Sequence, residues 1–206
     1  MKIPDHAAYK MLESYGIPVA NWSFARTLEE AAIAAENLHF PLILKADSTE
    51  IMHKMSSGCI RTANDMDHLR KMFEIVMKNA RKQAKNVNGI ILQELIRSDT
   101  ENVQELIIGI KKDAQFGLVI MFGAGGRLTA QDDVCFRLVP ITEKDAMEML
   151  HEPKISRLIT RHDKIADILL KVSKLAEYEK ISELDINPLL VSDKGVLAAD
   201  VRIIID

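Results

Sequence analysis

Polar and apolar residues alternate along Ser182-Glu183-Leu184-Asp185-Ile186-Asn187, a pattern that predicts a β-strand with one polar and one apolar face. If the chain reverses symmetrically at Asp193-Lys194, Asn187 lies directly opposite Asp200, with Cβ atoms about 4.5–5.5 Å apart. An amide oxygen and a carboxylate at this separation, with no His or Cys beside them, suit Mg²⁺ held together with phosphates. The alternative is an Asx turn at Asn187-Pro188 with solvated carboxylates around it.

The composition is that of an ordinary globular protein. The chain has 206 residues, 48% hydrophobic and 28% charged, and a chain of this size buries roughly 70% of its unfolded surface. No apolar run approaches the roughly 18 residues of a membrane span, and the first residues lack the apolar core of a secretory signal, so we expect a cytoplasmic protein. A net charge of −3 without a basic cluster argues against nucleic-acid binding. Cys59 and Cys135 match no metal or redox spacing and are expected to be reduced thiols.

Strands and helices are mixed along the chain without strict strand–helix–strand alternation, which predicts an α+β fold. An early run with helical periodicity predicts a short docking helix that ends at Gly16. The β-runs 89–96 and 105–110 are close enough in sequence to be antiparallel neighbours. The other predicted elements are strands at 42–46 and 118–122, a helix from about 64, and helices near 142–150 and 163–178.

Three features could bind or carry phosphate. Lys45 lies in an apolar strand and needs a counter-charge, which a phosphate or a structural carboxylate would supply. Gly123-Ala124-Gly125-Gly126 follows an apolar strand, where backbone N–H groups could cradle a phosphate, although a tight turn needs glycine just as much. His53 opens a polar loop, in which an imidazole is either solvated or a phosphoryl acceptor.

Several short motifs occur together in the order in which one family has them. The sequence resembles the ATP-grasp β subunit, or β domain, of ADP-forming acetyl-CoA (acyl-CoA) synthetases, which are relatives of succinyl-CoA synthetase. The motifs are Leu12-Glu13-Ser14-Tyr15-Gly16-Ile17-Pro18-Val19, Pro41-Leu42-Ile43-Leu44-Lys45, His53-Lys54, Gln93-Glu94, Glu105-Leu106-Ile107-Ile108-Gly109-Ile110-Lys111-Lys112-Asp113, Gln115-Phe116-Gly117, Met121-Phe122-Gly123-Ala124-Gly125-Gly126 and Leu184-Asp185-Ile186-Asn187-Pro188-Leu189-Leu190.

This resemblance implies an ATP-grasp fold in which two α+β lobes clamp the nucleotide. Residues 1–95 would form the N-terminal lobe with the docking helix, and residues 96–206 the C-terminal lobe with the Mg²⁺-binding hairpin. The family interconverts acyl-CoA, ADP and phosphate with an acid, CoA and ATP. The implied cofactors are ATP/ADP and Mg²⁺, with CoA on a partner. That partner would be an α subunit carrying the CoA-binding domain, in an α2β2 assembly.

The resemblance also implies roles for individual residues. Lys45 matches a lysine that contacts nucleotide phosphates, and His53 matches a phosphohistidine that relays phosphate between ADP and the α subunit. Asn187 and Asp200 match the Mg²⁺ ligands, and Asp185 is a plausible third. The remaining implied nucleotide-binding residues are Glu94 near adenine and ribose, Ile96, Glu105, Gly125 and Gly126.

The sequence departs from the family pattern in two places. Gly58-Cys59 stands where the family has Gly-Gly, and the segment 127–131 lacks the glutamate expected after Gly126. These departures keep open a second hypothesis, a degenerate nucleotide-binding or regulatory module without the phosphate relay. A carboxylate–amine ligase acting alone is disfavoured, because His53-Lys54 and Gln115-Phe116-Gly117 match the CoA branch.

Overall fold

The computed structural model describes residues 1–51, 54–96, 103–126 and 133–206. His53 and the segment 127–131, on which two of the expectations above depend, lie outside the described residues. The helices are α1 (Asp5–Ser14), α2 (Leu28–Ala35), α3 (Met66–Gln83), α4 (Glu143–Met149) and α5 (His162–Tyr178), with a 3-10 helix at Lys154–Leu158. The strands are β1 (Trp22–Ala25), β2 (Leu42–Asp47), β3 (Ile60–Ala63), β4 (Gly89–Glu94), β5 (Gln104–Asp113), β6 (Gly117–Ala124), β7 (Val134–Leu138), β8 (Ile181–Ser192), β9 (Gly195–Ala198) and β10 (Val201–Ile205).

Residue contacts divide the chain into two compact units. We call Pro4–Ala7 with Ala20–Ile96 the N-terminal unit, and Met1–Ile3 with Ala8–Val19 and Arg97–Asp206 the C-terminal unit. The division falls between Ile96 and Arg97, one residue beyond the expected domain boundary, and most of α1 groups with the later part of the chain. The assignment of residues 1–95 and 96–206 to two domains stays a prediction.

The N-terminal unit is a four-stranded antiparallel sheet in the order β1-β4-β2-β3, with α2 and α3 on one face. Helix α3 begins where the Asp65 side chain accepts a hydrogen bond from the His68 N–H at 2.8 Å, as an N-cap does. Its apolar residues recur every three or four positions, so that they all point towards the sheet. The core they form with α2 and the sheet contains Ala31, Ala35, Leu42, Leu44, Ala46, Leu69, Phe73, Val76, Ala80, Ile90 and Leu92.

The C-terminal unit is a six-stranded antiparallel sheet in the order β10-β8-β5-β6-β7, with β9 added to β8. Helix α5 packs on β8, β5 and β6, and α4 packs on α5 and β7. The predicted early helix is confirmed as α1, and Gly16 follows it with a φ of +68°, the left-handed conformation typical of a helix C-terminus. Within the described part of the chain, no helix combines the length and the apolar character that a bilayer crossing requires.

One predicted pairing is wrong. Strand β4 does not pair with β5: it lies between β1 and β2 in one sheet, whereas β5 lies between β8 and β6 in the other. Ile90, Ile91 and Leu92 are fully buried in β4, as expected of a strand flanked on both sides. Closeness in sequence favours pairing only when the connection folds back as a hairpin, and here the chain passes from one unit to the next.

Candidate functional site

The C-terminal hairpin reverses at Asp193-Lys194, as predicted. Leu189 pairs with Ala198 before residues 199–200, and Ile186 pairs with Val201 after them, so the register is unchanged across the β9–β10 junction. Asn187 therefore lies opposite Asp200, and its N–H donates to the Asp200 carbonyl oxygen at 3.2 Å. The structure confirms the predicted pairing of these two residues.

The glycine pair after β6 joins this hairpin. The Gly126 N–H donates to Asn187 Oδ1 at 2.9 Å, and the Gly125 N–H donates to the Glu105 carbonyl oxygen at 2.8 Å. Gly126 has a φ of +61°, and a Cβ there would lie 1.5 Å from Glu105 Oε2, so a side chain at this position would be strained and would displace the Glu105 carboxylate. Gly125, Gly126, Glu105 and Asn187, which the sequence singled out separately, are therefore in direct contact.

A tyrosine that the sequence analysis did not select contacts Asp200. Tyr9 of α1 is fully buried, and its hydroxyl donates to the Ala199 carbonyl oxygen at 3.2 Å and lies 3.4 Å from Asp200 Oδ1. This contact restricts the carboxylate from the side of α1. In the sequence, Tyr9 is only a tyrosine at an apolar position of a predicted helix. Ordinary core tyrosines show the same pattern, so the sequence alone does not mark Tyr9 as a site residue.

The donor set fits a magnesium ion held together with phosphates. Asn187 and Asp200 offer hard oxygen atoms, whereas in the described residues no group of three or more His, Cys, Asp or Glu side chains is arranged to hold a metal. Mg²⁺ commonly takes only one or two protein ligands and completes its octahedron with water and phosphate oxygens. Asp185, the suggested third ligand, is instead paired with Arg202, whose Nη2 lies 2.7 Å from Asp185 Oδ2.

In the N-terminal unit, Lys45 lies on the sheet face that α2 and α3 leave uncovered. It is 5% exposed and pairs in the sheet with Ile60 on β3 and Ile91 on β4. Gln93, diagonally across on β4, is 1% exposed, and its Nε2 has no hydrogen-bond partner among the described residues. A buried amide without a partner is costly, so a ligand that accepts a hydrogen bond from Gln93 would be favoured. Together with the Lys45 ammonium, this amide suits a ligand rich in acceptor oxygens. Sequence reasoning selected Lys45 and missed Gln93 as a donor.

Glu94 ends β4 with its carboxylate held by neighbouring residues. Oε1 accepts from the His39 N–H and contacts its Nδ1, each at 2.9 Å, and Oε2 accepts from Asn21 Nδ2 at 3.1 Å. Burial disfavours the charged form, but the hydrogen bonds from His39 and Asn21 outweigh it and lower the pKa of Glu94. Ile96 follows at a half-buried position. The carboxylate therefore fixes the 36–41 connection next to the strand end.

Cys59, at a position where the family pattern has glycine, places its side chain in the core. Cys59 is fully buried and packs in the core of the N-terminal unit, while its backbone N–H donates to the Lys54 carbonyl oxygen at 2.8 Å. Gly58, with a φ of +69°, keeps the left-handed conformation that glycine favours. The side chain at residue 59 therefore points into the core rather than into the loop.

The fold and the donor sets together are those of an ATP-grasp domain. The model of the ATP-grasp domain family matches residues 2–205, and the chain belongs to this family. It is 36% identical over 217 residues to the acetate–CoA ligase [ADP-forming] II subunit beta of Pyrococcus furiosus, covering 98% of this chain and 90% of that subunit. The α+β fold predicted from the sequence is thereby confirmed.

Longer relatives contain the same domain. The chain is 35% identical over 207 residues to acetate–CoA ligase [ADP-forming] I of Archaeoglobus fulgidus, covering 95% of this chain but only 30% of that protein. A solved structure of the dinucleotide-forming acetyl-coenzyme A synthetase 1 of Ca. Korarchaeum cryptofilum is also similar, with a TM-score of 0.82 and 31% identity. The match covers 100% of this chain and 93% of that one. That structure is a complex with coenzyme A and Mg-AMPPCP, with the phosphohistidine segment pointing towards the nucleotide binding site.

Proposed function

We propose that the chain is the nucleotide-binding β subunit, or β domain, of an ADP-forming acyl-CoA synthetase with an acetate–CoA ligase type of activity. The observation that carries the proposal is the joined cluster of Asn187, Asp200, Gly126 and Glu105. It occurs in a chain that covers 90% of a Pyrococcus furiosus β subunit at 36% identity.

Each unit would contribute groups of its own to nucleotide binding. The Lys45 ammonium neutralises phosphate charge, and the buried Gln93 amide donates to a ligand acceptor on the same sheet face. Glu94, anchored by His39 and Asn21, and Ile96 border the base and ribose. The backbone around Gly125-Gly126 and the Glu105 carboxylate line the phosphate end of the site, where any larger residue would fill the space.

Asn187 and Asp200 would hold Mg²⁺, with Tyr9 restricting the Asp200 carboxylate. The chemistry that magnesium would supply at these two residues is neutralisation of phosphate charge. Asp185 would become a further ligand only if it released Arg202, so we assign the first two residues the principal role.

The chemical step would be carried by His53. Its neutral imidazole nitrogen attacks the γ-phosphorus of ATP, the bond to the β,γ-bridging oxygen breaks, and ADP leaves with that electron pair. In the reverse direction, the terminal phosphate oxygen of ADP takes the phosphoryl group back and restores the imidazole. The acid and CoA would bind to an α subunit carrying a CoA-binding domain, in an α2β2 assembly.

The test is incubation of the full chain with Mg²⁺ and ATP labelled in its γ-phosphate, with and without a candidate α subunit and its acyl phosphate. We expect label that is stable to base and lost in acid, and none in the His53→Asn variant. Nucleotide binding without label under every condition would leave the regulatory module as the better account. A chain that binds no nucleotide would contradict both hypotheses.

A further inference from the structure

Buried charges join the first turn of α1 to the residue that follows His53. Lys54 Nζ forms an ion pair with Asp5 Oδ2, and the two side chains are only 10% and 3% exposed. Lys54 is bonded directly to His53 in the chain. The ion pair therefore fixes the residue that follows His53 in sequence.

Asp5 is itself fixed to the sheet through Asp47. The Asp5 N–H donates to Asp47 Oδ1 at 2.8 Å, and His6 Nδ1 contacts Asp47 Oδ2. Asp47 is fully buried at the end of β2 and shares a sheet face with Lys45, two residues earlier. The contacts thus lead from the Lys45 face of β2 through α1 to Lys54.

The turn after Lys54 is fixed at its other end as well. The Cys59 N–H donates to the Lys54 carbonyl oxygen at 2.8 Å, and the Ala46 N–H on β2 donates to the Cys59 carbonyl oxygen at 2.9 Å. Lys54 is consequently held through its backbone by Cys59 and through its ammonium by Asp5. Both anchors are on or next to β2.

Stability alone is a poor explanation for these charges. Apolar residues of similar volume often replace a buried ion pair at no cost to stability, because desolvation offsets the Coulomb attraction. What a buried pair does supply is a defined position, since any other arrangement leaves a charge unpaired.

We propose that Asp5 is a positioning residue for His53, acting through the ion pair that holds the neighbouring Lys54 next to β2. The inference rests on the proposed function, because it assumes that His53 accepts phosphate from a nucleotide bound near Lys45. By fixing Lys54, the ion pair favours phosphoryl transfer from ATP to His53. It contributes nothing to nucleotide affinity itself.

The test compares Asp5→Asn, Asp5→Glu and the charge exchange Asp5→Lys with Lys54→Asp in the full chain. Asp206→Asn, which breaks the exposed Lys112–Asp206 pair at 2.6 Å, is the matched control. The readouts are the rate of His53 phosphorylation by ATP, the nucleotide Kd and hydrogen exchange in residues 54–59. We expect Asp5→Asn to slow phosphorylation by about tenfold or more with the Kd within about twofold, because misplaced reactants lose rate rather than affinity.

Asp5→Glu and the charge exchange should recover much of the rate, which a general loss of packing would not allow. Hydrogen exchange in residues 54–59 should be faster in Asp5→Asn and unchanged in Asp206→Asn. Phosphorylation of Asp5→Asn at the wild-type rate would overturn the inference and leave the proposed function intact. Absence of His53 labelling in the wild type, by contrast, would overturn the proposed function and the positioning role with it.

Discussion

Asn187 and Asp200 face each other across the C-terminal hairpin, joined by a backbone hydrogen bond of 3.2 Å. The register on either side of them is the same, so the extended strands place both side chains without help from a ligand. Gly126 holds the Asn187 amide oxygen and Tyr9 approaches the Asp200 carboxylate. A site whose donors are positioned in advance binds without the cost of ordering them.

The Asp200→Asn substitution tests this arrangement. It keeps the shape of the side chain and removes the charge that would bind Mg²⁺. We expect nucleotide affinity in the presence of Mg²⁺ to fall at least about tenfold, the scale on which metal-site substitutions act. Affinity for the nucleotide without Mg²⁺ should change little. Titration calorimetry with and without Mg²⁺ measures both, and an equal loss under the two conditions would contradict the metal role.

The Asp185→Asn substitution distinguishes two possible roles of Asp185, as a Mg²⁺ ligand and as the ion-pair partner of Arg202. Because Asp185 lies across from Arg202 and is bonded to it at 2.7 Å, we expect a much smaller effect on Mg²⁺-dependent affinity than for Asp200→Asn. The pair is partly exposed, so its loss should also cost little stability, within about 1 kcal/mol. A loss of Mg²⁺-dependent affinity as large as that of Asp200→Asn would show that Asp185 is a ligand.

Gly126→Ala and Gly117→Ala form a matched pair. Both glycines have a positive φ, of +61° and +77°, but a Cβ at residue 126 meets Glu105 whereas nothing lies within 4 Å at residue 117. The conformational cost of about 1–2 kcal/mol applies to both, and at residue 126 the Glu105 carboxylate must also move away. Chemical denaturation should therefore show a larger loss of unfolding free energy for Gly126→Ala.

Shortening Glu105 checks the cause of that difference. In the background of Glu105→Ala, the clash at residue 126 is removed and only the conformational cost of the alanine remains. Gly126→Ala should then cost about as much as Gly117→Ala, and equal costs already in the wild-type background would contradict the steric explanation.

The thiol of Cys135 should be unreactive in the folded protein. Burial, aided by the charge of Glu152, raises its pKa to about 11, and Sγ lies 3.4 Å from the Met149 carbonyl oxygen. Since the thiolate is the nucleophile, modification at neutral pH should require unfolding. Thiol labelling followed by peptide mapping measures this, and rapid labelling of Cys135 in the native state would contradict it.

The hairpin site was predictable because its geometry follows from local rules. Alternation identifies the polar face, and a two-residue turn at Asp193-Lys194 fixes the register, so the Asn187–Asp200 pair follows by counting. The strand partners of β4 were not predictable in this way. Several apolar strands compete for them, and the choice depends on which unit each strand joins.

Contacts between residues far apart in sequence were not predictable either. Tyr9 and Asp200 are separated by 191 positions, and nothing near Tyr9 in sequence indicates that its hydroxyl meets a carboxylate. Gln93 reads as an ordinary strand residue, and only its burial with an unpartnered Nε2 marks it as a donor. Local patterns predict elements and short hairpins, whereas such contacts depend on the packed structure.

Glu94 should make stability depend on pH. Its pKa lies below the ordinary value of 4.5, because hydrogen bonds from His39 and Asn21 outweigh burial. The ionised carboxylate therefore stabilises the fold above that value, and the contribution is lost as the pH falls through the folded pKa. Between about pH 6 and pH 3, the unfolding free energy of the wild type should fall more than that of Glu94→Gln. Glu36→Gln, at an exposed helix end, is the control. Parallel pH profiles for the wild type and Glu94→Gln would show that this carboxylate does not anchor the connection.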